Sequence, residues 1–69
     1  MIEVFKTNVQ KESERDYVVA IIQIQFPDYK INFDLEDCDK ILRVEGMDLQ
    51  CDNIMDYMHC LGYTCIRLD

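Results

Sequence analysis

Four cysteines and one histidine are the side chains of this 69-residue chain that could hold a soft metal ion. Thiolate and imidazole groups bind copper and zinc, and Cys60 and Cys65 stand close together in the sequence across a predicted helix-to-strand junction. The alternative to simple packing is a metal site built from Cys60 and Cys65 with Cys38 or His59. Because cysteine is often a buried apolar residue and an isolated histidine near a helix end is usually solvated, the structural interpretation is favoured.

An acidic group crowds a predicted hairpin in the middle of the chain. Its members are Asp34, Glu36, Asp37 and Asp39. A solvated turn is the simplest interpretation, and docking to a basic protein surface is the functional alternative. The whole chain has 14 acidic and 7 basic side chains, a formal charge of −7. Such a surface repels phosphate backbones and anionic lipid, so neither nucleic acid nor a membrane is expected as a partner.

Enzyme chemistry is not predicted, because the sequence has no glycine-rich phosphate loop and no serine or cysteine nucleophile paired with a base. No cofactor is expected. The length predicts a single domain over 1–69, a monomer or weak homodimer that buries about 60% of its unfolded surface. No signal peptide or apolar run of about 20 residues is present, so a cytoplasmic location with reduced thiols is expected.

Residues 29–45 alternate between apolar and polar types, which is typical of strands buried on one side. The inward side chains of the first of these strands are predicted to be Tyr29, Ile31, Phe33 and Leu35. The second strand, 40–45, points Leu42 and Val44 inward and ends before Gly46. Together the two strands predict a hairpin with the acidic group at its tip.

Two further strands are predicted at the ends of the chain, over 1–7 and 64–69. Their inward side chains are predicted to be Ile2, Val4, Ile66 and Leu68. The outward face of the sheet is then predicted to carry Phe5, Ile41, Cys65, Glu3, Lys30, Asn32, Arg43 and Arg67. Two or three apolar side chains among these charges form only a small patch.

The first helix is predicted from about Lys11 to Gln25, with Asn8 or Ser13 as its cap. Its apolar stripe is predicted to be Tyr17, Val18, Ile21 and Ile24, widened by Ala20 and Ile22, while Val19 and Phe26 lie off the stripe. The helix ends there because Pro27 restricts the residue before it to extended dihedrals.

The second helix has a clear apolar stripe at three- and four-residue spacing, formed by Cys51, Ile54, Met58 and Leu61. Asp48 or Asp52 is predicted to cap its start. Gly62 is predicted to be the left-handed residue just past its end. The order of strands and helices, joined by right-handed crossovers, predicts an α+β ferredoxin-like βαββαβ sandwich with both helices on one face of a four-stranded antiparallel sheet.

Short segments of the chain, in order and spacing, resemble heavy-metal-associated domains, the family of small copper chaperones and of metal-binding modules in copper-transporting ATPases. These segments are Phe26-Pro27-Asp28-Tyr29, Ile31 to Leu35 with Glu36, Val44-Glu45-Gly46 and Leu61-Gly62-Tyr63. The resemblance implies a ferredoxin-like fold and a metal site between the first strand and the first helix. That family binds its metal there with a Met-x-Cys-x-x-Cys motif, whereas residues 6–13 of this chain contain no cysteine, histidine or methionine.

No metal ligand therefore carries over from the family to this chain. The sequence predicts a non-enzymatic, cytoplasmic domain of heavy-metal-associated type that has lost its metal motif and acts as a protein-interaction or regulatory module. Metal binding or trafficking at the displaced cysteines is the alternative.

Overall fold

The computed structural model describes residues 1–68 and has four strands and two helices in the predicted order. The elements are β1 (Ile2–Thr7), α1 (Glu12–Gln25), β2 (Lys30–Asp34), β3 (Ile41–Glu45), α2 (Cys51–Cys60) and β4 (Cys65–Leu68). The strands form one antiparallel sheet in the order β2-β3-β1-β4. This confirms the ferredoxin-like α+β fold, while the predicted end of the last strand, Asp69, lies outside the described residues.

One hydrophobic cluster joins both helices to the same face of the sheet. Its fully buried members come from the sheet, both helices and one loop: Phe5, Leu42 and Val44 from the strands, Val18 and Ile22 from α1, Ile54 and Met58 from α2, and Val9 from the β1–α1 loop. Burying one such side chain contributes about 1.5–3 kcal/mol. Within residues 1–68, no helix or loop covers the opposite face of the sheet.

The central hairpin follows its predicted pattern. In β2 and β3, Ile31 pairs with Val44 and Phe33 pairs with Leu42 on the helix-covered face. Tyr29, Phe33 and Leu35 are partly buried and pack against the core. The other face of this half of the sheet is polar except for Ile41, so its alternation indicates which face is buried.

The predicted facing of β1 and β4 is wrong. Phe5 is fully buried and Cys65 is 2% exposed, whereas Ile2 and Ile66 are 54% and 60% exposed. The register pairs Phe5 with Arg67 and places Cys65 opposite Thr7, so all four side chains share the covered face. Glu3 and Arg67, predicted to point outward, lie on the covered face as well.

Polar pairing explains how β1 and β4 bury the less apolar of their two faces. At one rim of the covered face, the guanidinium of Arg67 contacts both carboxylate oxygens of Glu3, with Nε–Oε2 at 3.1 Å and Nη2–Oε1 at 3.4 Å. At the other rim, the Thr7 hydroxyl donates to the Lys40 carbonyl at 2.6 Å and accepts from the Val9 N–H at 3.3 Å. Each of these polar groups therefore has a partner, and the larger Phe5 side chain takes the core position.

The buried stripe of α1 agrees with the prediction only in part. Val18 and Ile22 are buried and Val19 and Phe26 pack against the core, while Ile24 is 79% exposed. The exposed members of the predicted stripe also include Tyr17. This helix is apolar on two sides, and the end of the helix selects between them because the Phe26 ring stacks on Tyr29 with ring centroids 5.3 Å apart. Phe26 also meets Tyr57 edge-on at 6.1 Å.

The predicted helix caps are wrong at both helix starts. Lys11 occupies the N-cap of α1, and its backbone N–H donates to Glu14 Oε1 at 3.1 Å. Asn8, one predicted cap, instead accepts the Thr64 N–H at 2.9 Å and so ties the β1–α1 loop to the start of β4. The other predicted cap, Ser13, lies inside α1.

The N-cap of α2 is Gln50, whereas Asp48 precedes it and Asp52 lies in the first turn. The end of α2 is as predicted. Gly62 has φ +97°, and its N–H donates to the His59 carbonyl at 3.0 Å, while the Tyr63 N–H donates to the Met58 carbonyl at 3.1 Å. These two bonds form the Schellman arrangement that a left-handed glycine allows.

Candidate functional site

The uncovered side of the sheet, called here the open face, carries an unusual share of apolar side chains. These are Ile2 and Val4 of β1, Ile41 of β3, and Ile66 and Leu68 of β4. Val4 and Ile41 are half-buried by their neighbours, while Ile66 is 60% exposed and Leu68 36% exposed. The sequence prediction placed only Ile41 of this set outward, and it placed Phe5 and Cys65 there wrongly.

The strand register arranges the open face as three rows. The row nearest the hairpin tip is Asp34, Ile41, Lys6 and Ile66, the middle row is Asn32, Arg43, Val4 and Leu68, and the last row is Lys30, Glu45 and Ile2. Charged and polar side chains dominate on β2 and β3, and apolar ones dominate on β1 and β4. The open face therefore has a polar half and an apolar half.

A shallow groove of about 420 Å³ crosses the boundary between these halves. Its lining combines apolar, basic and acidic side chains: Val4, Ile41, Leu68, Phe33, Asn32, Arg43, Asp34, Asp37 and Asp39. Three of the four predicted acidic residues thus share one end of the groove. The sequence missed the apolar part because both faces of β1 and β4 are apolar.

Hydrogen bonds of the hairpin tip hold the acidic end in place. Asp34 Oδ1 accepts from the Glu36 N–H at 3.0 Å, and Asp37 Oδ1 accepts from the Asp39 N–H at 2.8 Å. Lys40 has φ +49°, and its ammonium donates to the Leu35 carbonyl at 3.0 Å. Both bonds at Asp34 and Asp37 use a single carboxylate oxygen, which leaves the other oxygen of each available for a further donor.

Asp39 is the one groove carboxylate with an ion-pair partner in the described chain. Its Oδ1 lies 3.5 Å from Lys6 Nζ, and both side chains are about half exposed. An exposed pair of this kind contributes little to stability, about 0–1 kcal/mol. The acidic end of the groove therefore keeps most of its negative charge.

The four cysteines and His59, of which Cys38, His59, Cys60 and Cys65 were the predicted ligands, are spread over different environments. Cys38 and Cys60 are exposed, Cys51 is partly buried and Cys65 is buried, all as free thiols, and His59 is exposed near the end of α2. Within residues 1–68, ligand atoms of three or more His, Cys, Asp or Glu side chains come within 4.8 Å of one another only at Asp37, Cys38 and Asp39.

Burial raises the pKa of the Cys65 thiol to about 12. A metal ligand must be a thiolate, so Cys65 would need to ionise inside the core. This cost disfavours the predicted Cys60 and Cys65 pair as a soft-metal site. Exposed acidic groups such as those beside Cys38 are common without an ion.

One further polar pair links α1 to the turn before β4. The Tyr63 hydroxyl donates to Glu14 Oε2 at 3.1 Å. The backbone N–H of Lys11 and this hydroxyl together lower the pKa of Glu14, and desolvation with the nearby carboxylate raises the pKa of Tyr63. Since Glu14 also caps α1, this pair has a structural role.

Neither helix of the described chain has the length and apolar character needed to cross a bilayer. Comparison with models of protein families, with curated proteins and with solved structures finds no match to this chain. The resemblance to heavy-metal-associated domains therefore stays a prediction from the residues.

Proposed function

We propose that this chain is a non-enzymatic protein-interaction module that binds through the open face of its sheet. The observation that carries the proposal is that β1 and β4 turn the more apolar of their two faces away from the helices, which leaves Ile2, Ile66 and Leu68 exposed on the open face. A contiguous exposed apolar patch of this kind is typical of an interaction surface. A partner laid on Val4, Ile66 and Leu68 would bury the apolar half of the open face.

The acidic end of the groove adds a polar anchor to this surface. Asp34 and Asp37 are pre-ordered by the hairpin bonds and each keeps an available oxygen, so a basic side chain of the partner can bind without reordering the loop. Pre-ordered groups lose less conformational entropy on binding. We therefore propose a partner that offers apolar side chains next to a lysine or arginine.

A reducing compartment such as the cytoplasm fits this proposal, because all four cysteines are free thiols and two of them are exposed. Oxidation of exposed Cys38 beside the acidic end would add bulk to the binding surface. The proposal thus includes reduced thiols as a condition for binding.

The test compares two lysine substitutions that change the net charge equally. Ile66→Lys alters the open face, and Ile24→Lys alters the outer side of α1, where Ile24 is 79% exposed. Proteins that co-purify with the wild-type chain and with Ile24→Lys, yet are lost with Ile66→Lys, are the expected result. Equal recovery with both variants would refute the open face as the binding surface.

A second pair of variants tests the anchor. Asp34→Asn and Asp37→Asn each keep the oxygen that accepts the hairpin N–H while removing the charge. Recovery of the partner should fall by about tenfold in the double variant, in line with the loss of a charge-assisted contact. Unchanged recovery would leave the apolar half as the whole site and remove the basic anchor from the proposal.

A further inference from the structure

The arrangement of charged and apolar side chains on the open face indicates which molecule can bind there. A two-fold axis that runs across the strands would bring each strand of one molecule opposite the same strand of another, with the two ends exchanged. Val4 and Leu68 in the middle row then meet Val4 and Leu68 of the second molecule. Apolar side chains are thereby paired with apolar ones across the β1 and β4 half.

The same axis exchanges the first and last rows on the polar half. Asp34 stands at the hairpin end of β2 and Lys30 at the other end, both on the open face. Each Asp34 of one molecule therefore comes opposite Lys30 of the other, twice in the pair. On β3 and β1 the same axis places Arg43 opposite Arg43 of the second molecule, Ile41 opposite Glu45 and Lys6 opposite Ile2, so the opposite-charge pairs are those of β2. A two-fold axis along the strands would form no opposite-charge pair, because it would place Asp34 opposite Ile66, Arg43 opposite Val4, Ile41 opposite Lys6 and Glu45 opposite Ile2.

Net charge gives an independent argument for self-association on this face. The chain has a formal charge of −7. The strand side chains of the open face include Lys6, Lys30 and Arg43 against Asp34 and Glu45, three positive and two negative, which is a balance of +1. With Asp37 and Asp39 at the acidic end of the groove the balance is −1, and the rest of the chain carries −6, so two copies of this acidic chain meet with less repulsion through the open face than through the rest of the surface.

The size of the open face sets the strength to expect. Four strands about 4.8 Å apart and a longest strand of six residues at about 3.3 Å per residue outline about 400 Å² before side-chain relief is counted. Stable interfaces bury about 800 Å² on each partner, and transient ones fewer than about 600 Å². The area fits a weak, transient dimer, which is tested at protein concentrations up to about 1 mM.

We infer that the occupant of the open face is a second copy of this chain, held in an antiparallel two-fold dimer by Val4 and Leu68 and by reciprocal Asp34 and Lys30 pairs. This inference rests on the proposed function, because it names the partner of the same surface. Lys30 of the second copy is then the basic group that binds at the acidic end of the groove.

Charge exchange on β2 tests the arrangement directly. Asp34→Lys places two lysines opposite each other across the dimer, and Lys30→Asp places two aspartates opposite each other. Each variant alone should dimerise about tenfold or more weakly than the wild type, because the changed pair occurs twice in the dimer. A 1:1 mixture of the two variants should regain dimerisation, since both reciprocal pairs of the mixed dimer join a lysine of one molecule to an aspartate of the other.

Sedimentation velocity of the wild type, both variants, their mixture and the double variant measures these dimers. The double variant, Asp34→Lys with Lys30→Asp, exchanges the two charges within one chain, so each lysine again faces an aspartate and dimerisation should return to the wild-type level. The surface control is Asp56→Lys on the exposed side of α2, which changes the net charge by the same amount as Asp34→Lys. It should leave dimerisation unchanged or slightly stronger. Recovery in the double variant also shows that the weaker association of each single variant does not come from misfolding.

A wild-type chain that stays monomeric at about 1 mM overturns the inference, as does a dimer that both single β2 variants retain. Neither result decides the proposed function, which depends on the separate loss of partners with Ile66→Lys. If the wild-type chain is monomeric and loses its other partners with Ile66→Lys, the interaction module is supported and the second copy is excluded as the partner of the open face.

Discussion

The buried thiol of Cys65 gives a prediction with a magnitude. Burial raises the pKa of Cys65 to about 12, whereas an ordinary cysteine has a pKa of about 8.5. At pH 8 the thiolate of Cys65 is thus roughly a thousandfold scarcer than that of an ordinary cysteine, and the thiolate is the species that alkylating agents attack. The side chain is also only 2% exposed. We expect Cys65 to react with iodoacetamide at least a thousandfold more slowly than exposed Cys38 or Cys60.

Global unfolding sets the floor of this rate. A domain with a free energy of unfolding of about 5 kcal/mol is unfolded roughly once in 5,000 molecules, so labelling through the unfolded state is equally slow. The assay follows each cysteine by peptide mass spectrometry after timed alkylation in the folded protein, with fully denatured protein as the control in which all four cysteines react. Labelling of folded Cys65 within tenfold of Cys38 would contradict the assigned burial.

The same pKa predicts how stability depends on alkaline pH. The unfolded thiol ionises near pH 8.5, at about its ordinary pKa, while the folded thiol stays neutral up to about pH 12. The contribution of the neutral Cys65 is therefore fully present below about pH 8.5 and is lost as the pH rises towards 12. In Cys65→Ala, the free energy of unfolding should fall less between about pH 8 and pH 10 than in the wild type, as measured by urea denaturation. Parallel curves for the two proteins would argue against the raised pKa.

Three further changes test the fold around the site. Thr7→Val should lower the free energy of unfolding by about 2 kcal/mol because the buried hydroxyl donates to the Lys40 carbonyl, and Thr7→Ser, which keeps the hydroxyl, should lower it by about 1 kcal/mol. Equal stability of the two variants in urea would show that the hydrogen bonds of the hydroxyl contribute nothing. Gly62→Ala should lower the free energy of unfolding by about 1 kcal/mol because of its φ of +97° alone, since an added Cβ meets no atom within 4 Å. An unchanged melting curve would count against the Schellman turn. Tyr63→Phe should raise the pKa of Glu14 towards its ordinary value, although the Lys11 N–H still lowers it, because one of the donors is removed. A lowered carboxyl pKa stabilises the fold at a pH above the unfolded pKa, and that stabilisation is lost as the pH falls through the folded pKa. The variant should therefore lose less stability in acid than the wild type. A carboxyl titration by NMR that finds the pKa of Glu14 unchanged would exclude the Tyr63 hydroxyl as a cause of its shift.

The sequence predicts an element well where its two faces differ in polarity. The β2–β3 hairpin has one apolar face, and α2 has one apolar stripe containing Ile54 and Met58, so burial follows the pattern in both. Gly62 was predictable as well, because a glycine just past the end of an apolar helical stripe is typical of the left-handed residue that ends a helix. In these segments the local pattern and the tertiary structure favour the same side.

Elements that are apolar on two sides are decided by contacts the pattern does not contain. In α1, the stacking of Phe26 on Tyr29 selects the stripe of Val18 and Ile22. In β1, the opposite charge of Arg67 makes the position of Glu3 tolerable on the covered face. The matching parity of Glu3 and Arg67 along their strands was a signal of this pairing, although the distant partner becomes evident only once β1 and β4 are adjacent.

The wrong facing of β1 and β4 and the proposed binding surface have the same cause. Whichever face these strands turned to the helices, apolar residues would remain on the other, because Phe5 and Cys65 occupy one side and Val4 and Leu68 the other. No change of register removes this exposure, since a slip of one residue only exchanges the two sets. A chain that exposes a sheet face of this composition gains stability by covering it, and the near-neutral charge balance of that face makes it the surface through which two copies of the acidic chain repel each other least.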